Sequence, residues 1–290
     1  HYGAVNAWQF HKNKTGFEID TVDVPLYNVT AEAVVAAFKA KLDANTYKVV
    51  AIAHILTTTG FKLPIEDIAD LVHAQGGFLV VDGAQGPGGL NIDFSDTKAD
   101  AYATSSHKWG LGPKGSGLLC VKADSQKYVE ATYVSGGYGN DFGALPNAYG
   151  VKTSSSGTLP PHTNAGQGAA FDYLMDFGMD DVEAYNMGLR ARAVAKFKAI
   201  GLEPLGALDP KDSAPILTIA LPDDSDASWA FKRLYVEYGI FVKTTGAGAY
   251  PGEWPPGAPK NALRFSFHVY NTEYQIDHLV DSIASIVSRR

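Results

Sequence analysis

Hydrophobic and polar residues along the first half of the chain follow two periods, one helical and one alternating. Residues 30–42 and 64–75 carry apolar positions at helical spacing, with Thr30 placed to cap the first of these helices. Short apolar or alternating runs predict five strands, at residues 17–24, 47–53, 78–81, 99–104 and 117–121. Because strands and helices alternate, the pattern predicts an α/β fold built on a mainly parallel sheet.

The second half of the chain begins with a long stretch that has neither period. Residues 134–162 are rich in Gly, Ser, Asn and Pro, which predicts a long loop of the kind that often serves function. Two helices follow at 163–177 and 179–200, joined at Gly178. A β-α-β-β-α order is then predicted at residues 215–221, 228–238, 240–243, 262–268 and 272–287. We therefore expect a large domain over residues 1–178, and a linking helix with a smaller C-terminal α/β domain over 179–290.

Composition and charge exclude several classes of protein. The chain has 290 residues, of which 46% are hydrophobic, and this is enough for a sizeable core. Its net charge of -7 disfavours general binding to nucleic acid or to an anionic membrane. No apolar run approaches the ~20 residues of a membrane span.

The chain contains one cysteine, Cys120, and begins at His1 without a methionine. A single cysteine excludes an internal disulfide and a multi-cysteine zinc site, and it fits a reducing compartment. We therefore expect a cytoplasmic protein with no metal site. Because the chain enters an aromatic-rich segment almost at once, we also expect further residues upstream of His1.

Four polar residues, Asp82, Ser105, His107 and Lys108, directly follow apolar runs of the predicted sheet. In doubly wound sheets, ligands bind outside the carboxyl ends of the strands, so these side chains converge on one cleft. A desolvated lysine forms a Schiff base with an aldehyde, and a carboxylate keeps a pyridine nitrogen protonated. Lys108 and Asp82 meet these two needs of a pyridine aldehyde cofactor. Gln85 suits its phenolic oxygen, and Ser105 and His107 suit its phosphate group.

Each of these residues also has a simpler interpretation. A lone lysine is usually a solvated surface charge, and only the matching neighbours favour catalysis by Lys108. Residues 110–115 formally match G-x-G-x-x-G, but a dinucleotide-binding turn opens a helix, whereas this run leads into a predicted strand. A hydrolase triad around Ser105 lacks the G-x-S-x-G elbow. His54 is best read as a strand-end histidine with satisfied hydrogen bonds, and Cys120 as a core residue.

The motif Asp82-Gly-Ala-Gln85, followed by Ser105-Ser-His-Lys108, resembles the class V, fold type I, pyridoxal-phosphate enzymes. Within that family it is most similar to the group of cysteine desulfurases and isopenicillin-N-epimerase-like proteins. The resemblance implies a mainly parallel large domain of the seven-stranded type and a smaller C-terminal α/β domain. It implies Lys108 as the Schiff-base lysine, Asp82 at the pyridine nitrogen, Gln85 near the phenolic oxygen, and Ser105 and His107 at the phosphate of pyridoxal 5'-phosphate.

Four further positions carry roles that the resemblance implies. Tyr2 stands where an aromatic residue or histidine stacks on the cofactor ring, and Thr57 where the chain contacts the ring oxygen. Thr158 lies in a segment that resembles a loop reaching the phosphate of the partner subunit, which implies a homodimer. Arg264 corresponds to the arginine that clamps the substrate carboxylate, and its planar fork suits that bidentate contact. The implied substrate is a small α-amino acid.

The chain departs from the family pattern in two places. It lacks the N-terminal arm and the Gly/Thr phosphate-binding turn that precede the stacking residue. Cysteine desulfurases carry a catalytic cysteine on the loop before the clamp arginine, and residues 246–259 contain none. We therefore expect an aminotransferase or a β-lyase. An amino-acid epimerase remains an alternative, as does a non-catalytic sensor, a scaffold or one part of a split enzyme.

Overall fold

The computed structural model describes residues 2–134, 148–153, 160–207, 209–222, 224–248 and 257–288. Helices and strands alternate in two stretches, from α2 to β2 and from α6 to β6. The helices are α1 (Tyr2–Thr15), α2 (Ala31–Ala44), α3 (Ile65–Ala74), α4 (Ala148–Thr153), α5 (Pro161–Phe177), α6 (Met179–Ala199), α7 (Ala227–Tyr238) and α8 (Glu273–Ser288). The strands are β1 (Val49–Ala53), β2 (Phe78–Asp82), β3 (Ala101–Ser105), β4 (Gly117–Val121), β5 (Ile216–Ala220), β6 (Lys243–Thr245) and β7 (Ala262–Ser266).

The larger sheet has the strand order β1-β2-β3-β4 in the described residues. Strands β1, β2 and β3 are parallel, and β4 pairs with β3 in the antiparallel direction. A parallel return needs a crossover of a dozen or more residues, and the turn between β3 and β4 is shorter than that. The mainly parallel sheet is thus confirmed, but the part of it described here has four strands rather than seven.

Helices α2 and α3 pack on this sheet and bury its core. The predicted cap is confirmed, because Oγ1 of Thr30 accepts a hydrogen bond from the Ala33 amide at 3.2 Å. Val34, Phe38 and Leu42 form the buried face of α2. They share one hydrophobic cluster with α3 and with Leu79 and Val81 of β2.

One predicted strand, at residues 17–24, is wrong, and another, at 240–243, is displaced by a few residues relative to β6. Residues 17–24 form no strand. Their alternating pattern reflects Val22 and Val24, which pack on the large-sheet core, while Lys41 and Tyr47 anchor the segment by hydrogen bonds to Asp20. The Ile240 amide donates a hydrogen bond to the Leu234 carbonyl, which closes the end of α7. Most of residues 240–243 therefore follow the end of this helix and precede β6. Helix α1 was not predicted, nor was α4, which lies within the stretch predicted as a long loop.

The smaller sheet is antiparallel, with the order β5-β7-β6. Helices α6, α7 and α8 cover it around a second hydrophobic core. Arg192 of α6 binds Asp277 of α8 through two hydrogen bonds of 2.7 and 2.6 Å. The β-α-β-β-α order is confirmed. The predicted boundary near residue 178 stays a prediction, although Gly178 does separate α5 from α6 with a φ of 83°.

A third, small cluster joins the two sheets. It consists of Ile55, Leu90, Trp109, Ala214 and Ile216, of which Ile216 belongs to β5 of the small sheet. The turn that follows β3 is therefore packed against the C-terminal half of the chain. No helix in the described part of the chain is long and apolar enough to cross a membrane.

Candidate active site

Three of the predicted cofactor residues, Asp82, Ser105 and Lys108, lie at one edge of the large sheet. Asp82 is the last residue of β2 and Ser105 the last of β3. The parallel ladder pairs Asp82 with Ala103, and the Gly83 amide continues it with a 2.7 Å hydrogen bond to the Ala103 carbonyl. The Ala84 amide donates to Oδ1 of Asp82 at 3.0 Å and holds this carboxylate at the strand end. The sheet thus brings these side chains together, as the sequence predicts.

Lys108 stands on the turn between β3 and β4, called here the Lys108 turn (residues 106–116). Its ends are closed by a hydrogen bond from the Ser106 amide to the Ser116 carbonyl at 3.1 Å. The Gly112 amide donates to the Ser106 carbonyl at 2.8 Å, which folds the glycine-rich stretch back beside the lysine. Since this stretch leads into β4 and not into a helix, the rejection of a dinucleotide-binding turn is confirmed.

The surroundings of Lys108 lower the pKa of its amine. Partial burial of the amine is the largest cause, although Lys108 as a whole residue is exposed. The positive charges of Arg264 and Lys243 lower the pKa further, and the carboxylate of Asp82 opposes them. A lowered pKa raises the fraction of neutral amine, which is the form that attacks an aldehyde or accepts a proton.

A chain of hydrogen bonds connects Arg264, Thr57 and Gln85. Nη1 of Arg264 donates to both the carbonyl and Oγ1 of Thr57, at 3.0 and 2.8 Å. Nε2 of Gln85 donates to the same Oγ1 at 3.0 Å. Residues that are far apart in sequence, on β7 and after β1 and β2, therefore form one polar group. Thr57 thus contacts both Arg264, the predicted substrate clamp, and Gln85, the predicted partner of the phenolic oxygen.

The hydroxyl of Ser105 is one indication of a ligand. Its Oγ is buried and has no hydrogen-bond partner among the described residues. A buried hydroxyl without a partner is costly, and such groups in native proteins call for an explanation. His107 follows on the same turn and is exposed. A phosphate group supplies the acceptor oxygens that Ser105 lacks, so the residues present fit the phosphate end of the cofactor.

Two predicted cofactor residues have no described side chain. Thr158 lies outside the described residues, and with it the predicted contact to a partner subunit. Tyr2 is the first residue of α1, and its side chain is likewise outside the description. Their roles, and the homodimer, stay predictions.

His54 and Cys120 behave as structural residues, as predicted. His54 is buried, and its Nδ1 lies 2.9 Å from the hydroxyl of Tyr102. Burial lowers the pKa of His54 to about 4, with the charge of Lys62 acting in the same direction. Cys120 lies in β4 and packs on the large-sheet core, and burial raises the pKa of its thiol, which makes it a poor nucleophile. No group of three or more metal-ligating side chains occurs in the part of the chain that the structure describes.

Three residues of this site were not predicted from the sequence: Trp109, Lys243 and His268. Nε1 of Trp109 donates to Oε1 of Gln85 at 2.9 Å, and Nε2 of His268 donates to the Trp109 carbonyl at 2.9 Å. Lys243 acts on Lys108 through its charge. Only Trp109 gave a signal in the sequence, as a large aromatic residue directly after the predicted catalytic lysine.

Comparison with known proteins agrees with this geometry. Residues 1–279 match the family described as "Aminotransferase class-V". The chain belongs to the class V aminotransferase family. Members of this family have the fold type I architecture and normally bind pyridoxal phosphate.

Curated relatives are identical to this chain at about a quarter of the aligned positions. Isopenicillin N epimerase from Streptomyces clavuligerus is 27% identical over 96% of this chain and 70% of its own length. Cysteine desulfurase from Haloferax volcanii is 28% identical over 98% of this chain and 65% of its own length. The chain therefore spans about two thirds of the length of these relatives.

A solved structure of the same class has a closely similar fold. The apo cysteine desulfurase from Thermococcus onnurineus NA1 superimposes with a TM-score of 0.85 at 20% identity. The superposition covers 100% of this chain and 71% of that one. At this level of identity the likeness establishes the fold and leaves the reaction open.

Proposed function

We propose that this protein is a pyridoxal-phosphate-dependent enzyme acting on an α-amino acid, with Lys108 as the residue that holds the cofactor's aldehyde. The observation that carries the proposal is the environment of the Lys108 amine. It is partly desolvated at the sheet edge, between the carboxylate of Asp82 and the cations Arg264 and Lys243, and its pKa is lowered. Family membership and the buried, unpartnered hydroxyl of Ser105 support the same reading.

The other cofactor residues take the roles that their positions suit. Asp82 receives the protonated ring nitrogen, and its negative charge keeps the proton there. Gln85 donates an amide hydrogen to the phenolic oxygen, next to Thr57. Ser105 and His107 bind the phosphate. We assign the ring-stacking position to Tyr2 and a phosphate contact across a homodimer to Thr158.

Catalysis then depends on Lys108 and Arg264. When bound, pyridoxal phosphate supplies an aldehyde that condenses with amines and a protonated ring that accepts electrons from Cα. Arg264 binds the substrate carboxylate and orients the Cα–H bond. Lys108 would remove the Cα proton as general base and hold it for delivery, to a cofactor carbon in an aminotransferase or to the leaving group in a β-lyase.

The reaction that follows proton removal is an aminotransferase or a β-lyase reaction in our proposal. A cysteine desulfurase that uses a thiol on the loop before Arg264 is disfavoured, because residues 246–259 contain no cysteine and Cys120 lies in β4. An epimerase needs a second acid on the opposite face of Cα, and we assign no described residue to that role. The epimerase remains the second candidate, because isopenicillin N epimerase is among the similar relatives.

A screen of amino acids tests this proposal. The purified chain with added pyridoxal 5'-phosphate is incubated with each L-amino acid, with and without a keto acid acceptor, and keto acid, ammonia, sulfide and D-enantiomer are measured. We expect keto acid or ammonia from at least one substrate, and none from Lys108→Ala. Lys114→Ala, an exposed lysine of the same turn, is the matched control and should keep the activity.

The outcomes separate the candidate functions. D-enantiomer without keto acid would favour the epimerase. Turnover by Lys108→Ala at the rate of the unaltered chain would contradict the proposal. Binding of the cofactor without turnover of any amino acid would favour a sensor, a scaffold or one part of a split enzyme.

A further inference from the structure

Three kinds of contact fix the position of Trp109 in the described structure: packing of its ring, a hydrogen bond from its indole N–H and contacts with His268. Its ring is 5% exposed and belongs to the cluster that joins the two sheets. Nε1 of its indole donates to Oε1 of Gln85 at 2.9 Å. Its carbonyl accepts a 2.9 Å hydrogen bond from Nε2 of His268, and the two rings stack at 5.6 Å with an interplanar angle of 22°.

The indole hydrogen bond fixes which way the Gln85 amide faces. Indole N–H is a donor only, so the amide must present its oxygen to Trp109. The amide nitrogen then lies on the other side, where it donates one hydrogen to Oγ1 of Thr57 at 3.0 Å. Its second hydrogen remains for another acceptor. A flipped amide would place the NH₂ group of Gln85 opposite the indole N–H of Trp109, and two donors would then face each other.

His268 fixes Trp109 in turn. Its Nδ1 accepts a hydrogen bond from the Val269 amide at 2.8 Å, so the proton of a neutral ring must sit on Nε2, which donates to Trp109. Burial favours the neutral form, because it lowers the pKa of His268, with the Trp109 carbonyl opposing that shift. Tyr270 also stacks on His268, with the ring centroids 5.1 Å apart. The Trp109 ring therefore packs on aromatic rings from the segment that follows β7.

The loop after Gln85 is shaped around Trp109. A Cβ at Gly89 would lie 2.6 Å from the indole ring, and a Cβ at Gly88 would collide with the Trp109 carbonyl. Asn186 of α6 binds the Gly89 carbonyl at 3.0 Å and holds the loop against the indole. Trp109 thus has one position and the Gln85 amide one orientation.

We infer that Trp109 is a positioning residue, which orients the Gln85 amide so that its free N–H points to the phenolic oxygen of the cofactor. The inference rests on the proposed function for the identity of that oxygen. It adds a residue that neither the sequence motif nor the proposed roles include. The link also ties the cofactor contact to the turn that carries Lys108.

Trp109→Phe tests the inference, because it keeps a stacking ring and removes the N–H. An amide hydrogen bond stabilises the negative charge on the phenolic oxygen. Without it that oxygen holds the proton of the lysine-bound nitrogen more tightly, so the pH midpoint of the visible absorbance band should rise. We expect a rise of about one pH unit, as for the loss of one hydrogen bond to a charged group. Trp229→Phe, on α7, is the matched control and should leave the midpoint unchanged.

A double variant distinguishes positioning through Gln85 from a structural role. Gln85→Leu alone should raise the midpoint at least as far as Trp109→Phe. If Trp109 acts through Gln85, adding Trp109→Phe to Gln85→Leu should produce no further rise. Equal and additive shifts would overturn the inference, as would a single Trp109→Phe variant with the midpoint of the unaltered protein.

A measurement on the cofactor-free chain keeps the inference separate from the proposed function. Labelling with ¹⁵N-tryptophan gives four indole N–H signals, one for each tryptophan, and Trp109→Phe identifies its own by removing it. Gln85→Leu should shift the Trp109 signal and accelerate its exchange with solvent. An unchanged Trp109 signal in Gln85→Leu would contradict the hydrogen bond between these two side chains. If the Trp109 signal changes as predicted but the chain does not bind pyridoxal 5'-phosphate, only the proposed function is contradicted.

Discussion

At the scale of single residues, charge placement explains why Lys108 differs from a surface lysine. Two cations and partial burial lower the pKa of its amine, and one carboxylate opposes them. The same Arg264 that lowers this pKa also donates two hydrogen bonds to Thr57, which fixes its guanidinium beside the cleft. The residue proposed to bind the substrate carboxylate is thus held in place before substrate arrives.

Arg264→Lys should weaken amino-acid binding while keeping the positive charge near Lys108. A lysine cannot reproduce the bidentate contact to a carboxylate, and losing a hydrogen bond between charged groups costs ~10- to 100-fold in kcat/KM. We expect the loss mainly as a higher KM for the amino acid. Steady-state kinetics with the best substrate of the screen measures it.

Arg192→Lys is the matched control for this change, because Arg192 lies on α6 and binds Asp277. This variant should keep the original KM. An amine substrate without a carboxylate should react equally with both variants. An unchanged KM in Arg264→Lys would remove Arg264 from the substrate site.

At the scale of elements, the sequence predicts the helices and strands that have a clear local period. It does not predict features that depend on packing between distant segments. Strands β1 to β5 and helices α2, α3 and α5 to α8 carry clear periods and were predicted within a few residues. Residues 17–24 alternate like a strand, but they lie across the large-sheet core and find no backbone partner. The contact from Arg264 to Thr57 joins segments more than two hundred residues apart, so no local pattern reveals it.

The glycine loop beside Trp109 gives an element-scale prediction. Gly88 has a φ of 95°, and a Cβ there would collide with the Trp109 backbone. Gly88→Ala should therefore lower the free energy of unfolding by about 1–3 kcal/mol, through backbone strain and overpacking. Urea unfolding followed by circular dichroism measures the change.

Gly188→Ala is expected to change stability in the opposite direction. Gly188 lies within α6, and a Cβ there would meet nothing within 4 Å. This variant should be more stable by about 0.5–1 kcal/mol, because alanine loses less conformational entropy in a helix. Equal effects of the two changes would show that the close approach of Trp109 is not a constraint.

At the scale of the whole molecule, buried neutral histidines make stability depend on pH. The pKa of His54 is about 4 in the folded chain against an ordinary value of 6.5. The unfolded chain therefore binds the proton first, and stability falls as the pH drops from 6.5 towards 4 and levels off below that. The loss assigned to His54 is about 3 kcal/mol.

His54→Gln should flatten this pH dependence, because glutamine can bond to Tyr102 without titrating. The free energy of unfolding, measured in urea between pH 7 and 4, should fall less steeply than in the unaltered chain. His11→Gln, on the exposed face of α1, is the control and should keep the original slope. Identical slopes in all three proteins would contradict the role of His54; the remaining slope in His54→Gln is assigned to His268 and, near pH 4, to carboxylates with a lowered pKa such as Asp277.

The central claim is that Lys108 holds the cofactor. The most direct measurement is to add pyridoxal 5'-phosphate to the purified chain, reduce with borohydride, digest the protein and locate the modified lysine by mass spectrometry. The account predicts the phosphopyridoxyl group on the peptide that contains Lys108, and its absence from that position in Lys108→Ala. Stoichiometric modification at Lys114, Lys243 or any other lysine, with Lys108 unmodified, would contradict it.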